Sequence, residues 1–245
     1  MMFNQDPEMA ISAEQAQLAS INVITYAMKL AEQHKNNPKN DIIGALLNGK
    51  GKEAGLSDEE FVWFFLMLIA AGNESTRTVT SHGMRLLMEH PDQLQYLVDH
   101  PEKIPDACEE ILRYNTAFIL MRRTAMEDVE LAGHRIGKGD KIILHYHTVN
   151  HDERIFGDDA MDFDVRRAER MPDLYNQHRS FGIGQHFCLG THLARLELRV
   201  ILEEVIPRLR NPRLAGEIRY TRSSLVNGIK SMPITFDPEV KRVAA

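Results

Sequence analysis

The alternation of apolar and polar positions predicts a helical start to the chain. Residues 11–34 place apolar side chains at helical spacing, and residues 41–47 predict a short second helix after a break. Ser57 and Glu60 then have the spacing of a capping box, in which the serine caps a helix and the glutamate reaches back. This spacing predicts one long helix over about 58–90. Because its first half is apolar on nearly every side, we expect that helix to be central in its domain.

The remainder of the chain mixes shorter helices with strands. The elements predicted there are helices near 92–99 and 106–115, a hairpin about Ala132-Gly133, a strand over 141–149, a helix over 189–210, and irregular strand over 213–236 with a turn at Asn227-Gly228. Residues 151–187 have no clear periodicity, and so long a loop inside a compact domain is usually functional. The expected fold class is mainly α with small β-sheets.

Composition narrows the range of functions. The chain has 245 residues and is 43% hydrophobic, which is enough for one sizeable core. Its net charge of −6 argues against a nucleic-acid partner, although a local basic patch for a protein partner stays open. The longest apolar run, residues 61–71, is shorter than the roughly 20 residues that a membrane span needs. Because only Cys108 and Cys188 are present and no signal peptide is visible, we expect a reducing, cytoplasmic location.

A glycine-rich segment surrounds the second cysteine. Residues 181–190 read Phe-Gly-Ile-Gly-Gln-His-Phe-Cys-Leu-Gly, and one interpretation is a buried structural cysteine between turn glycines. Gly182 and Gly184 instead suggest a tight path with the backbone close to something bulky, and Gly190 would let the next helix start against the same object. Cys188 comes just before that predicted helix, where free N–H groups and the helix dipole stabilise a thiolate that can bind iron.

This segment resembles the haem-binding signature of the cytochrome P450 family. The pattern F-G-x-G-x-H-x-C-x-G is followed by Leu193-Ala194-Arg195, as in that family. The resemblance implies a haem-thiolate monooxygenase with haem b, whose axial ligand is the thiolate of Cys188. Such a ligand pushes electron density onto iron and favours cleavage of the O–O bond. Phe181, Gly182 and Gly190 would then belong to the cofactor site.

The resemblance also implies a fold. It covers about residues 11–237 and begins in the middle of the P450 fold. We therefore expect residues 1–245 to form the C-terminal part of a single P450 domain whose N-terminal portion is missing. Apolar surface exposed on the remaining part would make the chain poorly soluble or dependent on the missing segment.

Four charged positions and one histidine extend the resemblance. Glu110 and Arg113 have the E-x-x-R spacing of the family, where the pair is buried and holds the long loop before the cysteine. Arg166 matches the third partner of that network. Arg123 and His186 match residues that contact the haem propionates. A solvated ion pair, or exposed polar side chains, is the alternative for these positions.

The middle of the long predicted helix resembles the oxygen-activation segment of the family. Glu74 matches the acid of an acid–alcohol pair that delivers protons, and Ser75 lies where the family usually has threonine, with Thr76 next to it. The positions that match substrate contacts are Met67, Ala71, Ile119, Leu225 and Val226. All five are apolar, which implies an apolar or lipid-like substrate, and core packing is the alternative for each.

A group of three histidines and the other cysteine receive simpler interpretations. His145, His147 and His151 suggest a metal site, since His-x-His can place two imidazoles on one strand face. We favour the alternative that this stretch matches the A-N-R-D segment of the family, with His151 in place of arginine. Cys108 is most simply a small core residue.

The sequence type resembles the bacterial P450 class that takes electrons from a ferredoxin and its NAD(P)H-dependent ferredoxin reductase. Two rivals remain at this stage. One is a truncated, catalytically inactive remnant that binds haem or is merely structural. The other is a peroxide-using enzyme of the same scaffold, against which the Glu74–Ser75 pair argues, because peroxide users tend to lack it.

Overall fold

The computed structural model describes residues 6–49 and 55–238. The described residues divide into two compact units, one of residues 7–49 and 55–74 and one of residue 6 together with residues 75–238. Among the described residues, no helix is both long and apolar enough to cross a bilayer.

Three helices build the smaller unit. They are α1 (Ala13–Asn36), α2 (Ile42–Asn48) and the first part of α3 (Asp58–Glu89). All three match the predicted ranges closely. The predicted capping box of α3 is present, since Ser57 N–H donates to Glu60 Oε2 at 2.9 Å and Glu60 N–H donates to Ser57 Oγ at 3.3 Å. Ala27, Ala31 and Phe61 form the buried centre of this unit.

The helices of the larger unit follow the second part of α3. They are α4 (Pro91–Asp99), α5 (Ile104–Tyr114), the one-turn helices α6 (Tyr146–Val149), α7 (Glu153–Phe156), α8 (Arg167–Arg170) and α9 (Leu174–Gln177), and α10 (Thr191–Val205). Proline occupies the first turn of both α4 and α5, where its missing N–H costs nothing. Helix α5 is the centre of the core, with Ile111 and Leu112 packed among α3, α4 and the buried Leu198 and Leu202 of α10.

The strands pair in twos. They are β1 (Leu120–Thr124), β2 (Val129–Leu131), β3 (His134–Ile136), β4 (Lys141–His145), β5 (Leu209–Leu214), β6 (Arg219–Tyr220), β7 (Ile229–Ser231) and β8 (Ile234–Pro238). The antiparallel pairs in the described part of the chain are β1–β4, β2–β3, β5–β8 and β6–β7. The predicted hairpin about Ala132 and Gly133 is confirmed, with φ of 49° and 78° at the two turn residues. The fold is mainly α with small sheets, as expected.

Three predicted elements differ from the structure. The strand over 141–149 ends at His145, because the His145 ring accepts the Thr148 N–H at 3.2 Å and starts α6 instead. The helix over 189–210 ends at Val205, since the residues from Leu209 pair with β8. The prediction of a turn at Asn227-Gly228 is wrong, because neither residue has the positive φ that a two-residue hairpin turn of that type requires.

Candidate functional site

A buried ion pair on α5 holds the loop that follows α6. Arg113 donates from Nε to Glu110 Oε2 at 2.7 Å and from Nη2 to Oε1 at 2.8 Å, and neither side chain is exposed to solvent. The same guanidinium donates to the backbone carbonyls of Asn150 at 2.7 Å, Ala160 at 2.8 Å and Asp162 at 2.9 Å. Burial of the charges is tolerable because every donor has an acceptor. The predicted E-x-x-R pair therefore exists and fixes a loop distant in sequence.

The prediction that Arg166 is the third partner was wrong by one position. Arg167 donates from Nε to Glu110 Oε1 at 3.2 Å and Oε2 at 3.1 Å, and only 1% of its side chain is exposed. The side chain of Arg166 is 56% exposed and lies over the Tyr96 ring at 5.4 Å. Arg167 is the first residue of α8, whereas Arg166 is the cap residue outside the helix, and only Arg167 faces Glu110.

The segment around Cys188 folds back on itself. The Cys188 N–H donates to the carbonyl of Phe181 at 2.9 Å, which closes the segment into a loop. Gly182 and Gly184 have φ of 76° and 73°, a region that favours glycine over residues with a Cβ. Gly190 precedes the first residue of α10, so the cysteine comes just before a helix start, as the sequence indicated.

Several large apolar side chains of this loop are exposed to solvent. A Cβ added to Gly184 would meet no heavy atom within 4 Å, and a Cβ on Gly190 would lie 4.0 Å from Cys188 Sγ. The exposed fractions of Ile183, Phe187 and Leu189 are 67%, 50% and 73%. A free, partly exposed thiol in a loop with exposed apolar side chains fits a flat apolar group whose metal accepts a thiolate ligand, which is what a haem presents.

The two cysteines differ in their surroundings. Cys108 is buried in the core of the larger unit, and burial raises the pKa of its thiol to about 12. It is therefore the inert core residue that the sequence suggested. Cys188 is free and partly exposed, and it is the cysteine available to a ligand.

Asn150 connects the buried ion pair to the cysteine loop and was not singled out from the sequence. Besides its carbonyl, which accepts from Arg113, its side-chain oxygen accepts the Arg179 N–H at 2.7 Å and its amide donates to Ser180 Oγ at 2.8 Å. Ser180 Oγ in turn donates to the carbonyl of Leu112 at 2.6 Å. A polar residue at the end of a strand and before a long aperiodic loop was the available signal.

The other predicted contacts lie in different parts of the chain. Arg123 is half-buried on β1, opposite Ile142 of β4, and its Nη1 donates to the Arg122 carbonyl at 3.1 Å. His186 is exposed at the end of a 3₁₀ turn, Gly184–His186. Their roles toward a haem remain predictions.

The predicted substrate contacts fall in both units. Ile119 and Leu225 are neighbours, since Ile119 N–H donates to the Leu225 carbonyl at 2.9 Å. Val226 is 1% exposed, so core packing is the better interpretation of that residue. Met67 and Ala71 are exposed on the part of α3 that belongs to the smaller unit.

The three residues of the predicted proton-delivery segment are consecutive on α3. Glu74 is buried and ends the smaller unit, whereas Ser75 and Thr76 are half-buried and begin the larger one.

The rings of the three histidines lie close together, in an edge-on and a tilted contact. His147 lies 4.2 Å from His151 and 6.5 Å from His145, centroid to centroid. Because the His147 carbonyl can only accept, His151 Nδ1 donates to it, at 2.8 Å. Burial lowers the pKa of His151 to about 4. Within the described residues, no group of three or more His, Cys, Asp or Glu side chains is arranged to hold a metal ion.

Comparisons with known proteins find similarity along most of the chain. The family model "Cytochrome P450" matches residues 104–212, which contain α5, the buried ion pair, the cysteine loop and α10. Steroid C26-monooxygenase of Rhodococcus jostii (strain RHA1) is 37% identical over 233 residues, which cover 94% of this chain and 47% of that protein. Linalool 8-monooxygenase of Pseudomonas putida is 35% identical over 234 residues, which cover 96% of this chain and 56% of that protein.

A solved structure extends the likeness to three dimensions. The structure of CYP109E1 from Bacillus megaterium in complex with testosterone has a TM-score of 0.84 and 32% identity, over 91% of this chain and 61% of that one. The chain is similar to the cytochrome P450 family along most of its length, and residues 104–212 match the family model. It spans about half the length of the curated relatives it matches.

Proposed function

We propose that this chain is the haem-binding part of a haem-thiolate monooxygenase, which inserts one oxygen atom from O₂ into an apolar organic substrate. The observation that carries the proposal is the position of Cys188. Its thiol is free and partly exposed, in a loop that carries exposed apolar side chains and is bound to the buried network of α5. The chain would belong to one domain of that enzyme.

The residues of the loop fit the cofactor. Haem b, when bound, supplies the oxygen activation that the protein side chains lack. Cys188 would hold the haem iron through its thiolate, and Gly182 and Gly190, on either side of it in the loop, would lie beside the cofactor. Arg123 and His186 would donate hydrogen bonds to the propionates, as cationic and imidazole donors suit carboxylates.

Proton delivery is assigned to α3. Glu74 provides the carboxyl group that takes up protons, and the hydroxyl of Ser75 passes them toward the oxygen site, with Thr76 as the neighbouring hydroxyl. Serine has the donor and acceptor that this role needs, but it lacks the methyl that restricts the rotamers of threonine. We therefore expect proton delivery that is functional but less tightly directed.

The substrate and the electron donor are inferred from chemistry and relatives. The apolar side chains Met67, Ala71, Ile119 and Leu225 suit an apolar substrate, and the relatives are named for oxidation of a steroid and of linalool. We propose a lipid-like substrate, with electrons from a ferredoxin and an NAD(P)H-dependent ferredoxin reductase. The cysteine usage supports a cytoplasmic location.

One observation favours a second candidate, an inactive haem-binding or structural remnant. Helix α10 carries Leu193, Leu196 and Val200 at helical spacing, with 59%, 54% and 44% of each residue exposed. A contiguous apolar stripe of this kind commonly marks a surface that another segment or protein covers. If the stripe leaves the site loosely held, the chain would bind haem without turning over substrate.

The absorption spectrum of the reduced carbon-monoxide complex separates these possibilities. The purified chain, reconstituted with haem, should give the long-wavelength band of a thiolate ligand, and Cys188→Ser should abolish that band. Cys108→Ser is the matched control and should retain it. A chain in which Cys188→Ser leaves the spectrum unchanged would refute the ligand assignment. Thiolate ligation without product, when ferredoxin, reductase and a steroid or terpene alcohol are supplied, would favour the remnant.

A further inference from the structure

A second charged network, separate from the one on Glu110, lies against the cysteine loop. Glu109 of α5 accepts hydrogen bonds from Arg195 Nε to Oε1 at 2.8 Å and from Arg195 Nη2 to Oε2 at 2.9 Å. His178 Nε2 is 3.0 Å from the same Oε2. The side chains of Glu109, Arg195 and His178 are 13%, 11% and 1% exposed, so this is an interior cluster rather than a surface ion pair.

The cluster joins the two ends of the loop. His178 directly follows α9 and precedes the loop, whereas Arg195 lies in α10, after the loop has ended. Arg195 also donates from Nη1 to Thr191 Oγ1 at 2.5 Å, which ties its guanidinium to the first residue of α10. One carboxylate of α5 therefore fixes the distance between the entry to the loop and its exit.

Phe181 connects the cluster to Cys188. The Phe181 ring lies 4.5 Å from the Arg195 guanidinium carbon and 6.0 Å from the His178 ring. The carbonyl of Phe181 accepts the N–H of Cys188 at 2.9 Å. Displacement of Phe181 would remove this acceptor and release the backbone that carries the thiol.

The hydrogen bonds of the cluster determine which nitrogen of the His178 ring carries the proton. The Ser180 N–H donates to His178 Nδ1 at 3.3 Å, so the imidazole proton is on Nε2 and is donated to Glu109. Burial lowers the pKa of His178, which favours this neutral form. Burial by itself would raise the pKa of Glu109, but the hydrogen bonds from His178 and Arg195 outweigh it and lower that pKa.

We propose that Glu109 is a positioning residue that, through His178, Arg195 and Phe181, holds the backbone of Cys188 in the orientation its ligand role requires. The inference rests on the proposed function, since it assigns a purpose to the loop geometry. The contacts of Glu109 are with Arg195 and His178, so any effect on the thiol passes through these residues.

The isosteric change Glu109→Gln is a sharp test of this role. The carboxylate meets three N–H donors, two from Arg195 and one from His178. A glutamine offers one acceptor and places an NH₂ group against the remaining donors. His178 could accept a hydrogen bond from that NH₂ at Nε2 only if its proton moved to Nδ1. The Nδ1–H would then face the Ser180 N–H, which is also a donor. One donor is therefore left unsatisfied in any arrangement.

Amide hydrogen exchange on the haem-free chain measures the loop directly. In Glu109→Gln, residues 178–191 should exchange roughly tenfold faster or more, the factor expected when a hydrogen bond to a charged group is lost, while α4 is unchanged. Asp106→Asn is the matched control on the same helix. Its carboxylate is 45% exposed and is 3.8 Å from Lys103. Unchanged exchange in the loop, or an equal increase in α4, would overturn the proposal.

The haem-bound chain supplies a second readout. Glu109→Gln should convert part of the reduced carbon-monoxide complex from the thiolate to the protonated-thiol absorption, and Asp106→Asn should not. A proportion of the two forms equal to that of the unmodified chain would also overturn the proposal. If the unmodified chain itself lacks the thiolate band, the proposed function fails, whereas the exchange data still decide whether Glu109 holds the loop.

Discussion

Replacing Arg167 with alanine should destabilise the chain far more than replacing its neighbour Arg166. The Arg167 side chain is 1% exposed and donates to both oxygens of Glu110 at 3.1 and 3.2 Å, and to the carbonyls of Asp159 at 2.8 Å and Asp162 at 2.9 Å. Its loss leaves the buried carboxylate short of one cation and removes a donor from three carbonyls, since Arg167 also donates to the Phe156 carbonyl at 3.2 Å. Removing one partner from a buried pair costs about 3–5 kcal/mol.

The neighbouring arginine provides the control. Arg166 is 56% exposed, its ion pair with Asp164 spans 3.8 Å, and its guanidinium lies over the Tyr96 ring. An exposed pair and an exposed cation–π contact are each worth about 1 kcal/mol or less. Urea unfolding followed by circular dichroism should therefore give a much lower midpoint for Arg167→Ala, with the slope unchanged. Equal losses in the two variants, or a larger loss for Arg166→Ala, would refute this description of the network.

Three further predictions concern α3 and its neighbours. Gly83→Ala should lower the free energy of unfolding by about 1–3 kcal/mol, because the added Cβ would lie 3.1 Å from two carbons of Ile111. On the same helix, the Cβ added by Gly72→Ala meets nothing within 4 Å, so that variant should be more stable by about 0.5–1 kcal/mol. Burial lowers the pKa of His82 from 6.5 to about 4. As the pH falls, His82 therefore takes up a proton in the unfolded chain before it does so in the folded chain. The contribution of His82 to the free energy of unfolding should fall by about 3 kcal/mol between pH 6.5 and pH 4. His82→Gln should flatten that decline in urea titrations at several pH values, and an unchanged slope would contradict the assignment. Ser75→Thr should raise the product formed per reduced cofactor, and equal coupling in the two proteins would be evidence against the assigned role of the hydroxyl.

The sequence is informative wherever a local signal decides the structure. The capping box at Ser57 and Glu60 predicts the start of α3 because both hydrogen bonds lie within one turn. The glycines around Cys188 predict a tight loop because few other residues tolerate its positive φ values. The spacing of Glu110 and Arg113 predicts a pair on one helix face, for the same local reason.

The errors concern residues whose positions depend on distant partners. Arg166 and Arg167 are adjacent in a loop without periodicity, and only the start of α8 decides which of them faces Glu110. Strand β1 was not predicted, and it forms because β4 lies beside it in the fold. The turn of α6 interrupts a stretch with good strand propensity, because the ring of His145 caps the chain. Tertiary contacts outweigh propensity at all of these positions.

Helix α5 explains how two loops that are far apart in sequence come to be held together. Its consecutive residues Glu109 and Glu110 point in directions about 100° apart, so they meet different partners. Glu110 binds the loop after α6, and Glu109 binds both ends of the cysteine loop. Asn150 joins these two sets of contacts through Ser180. Since both carboxylates belong to one rigid helix in the core, a shift of either loop strains the other, and the cysteine is held from two directions at once.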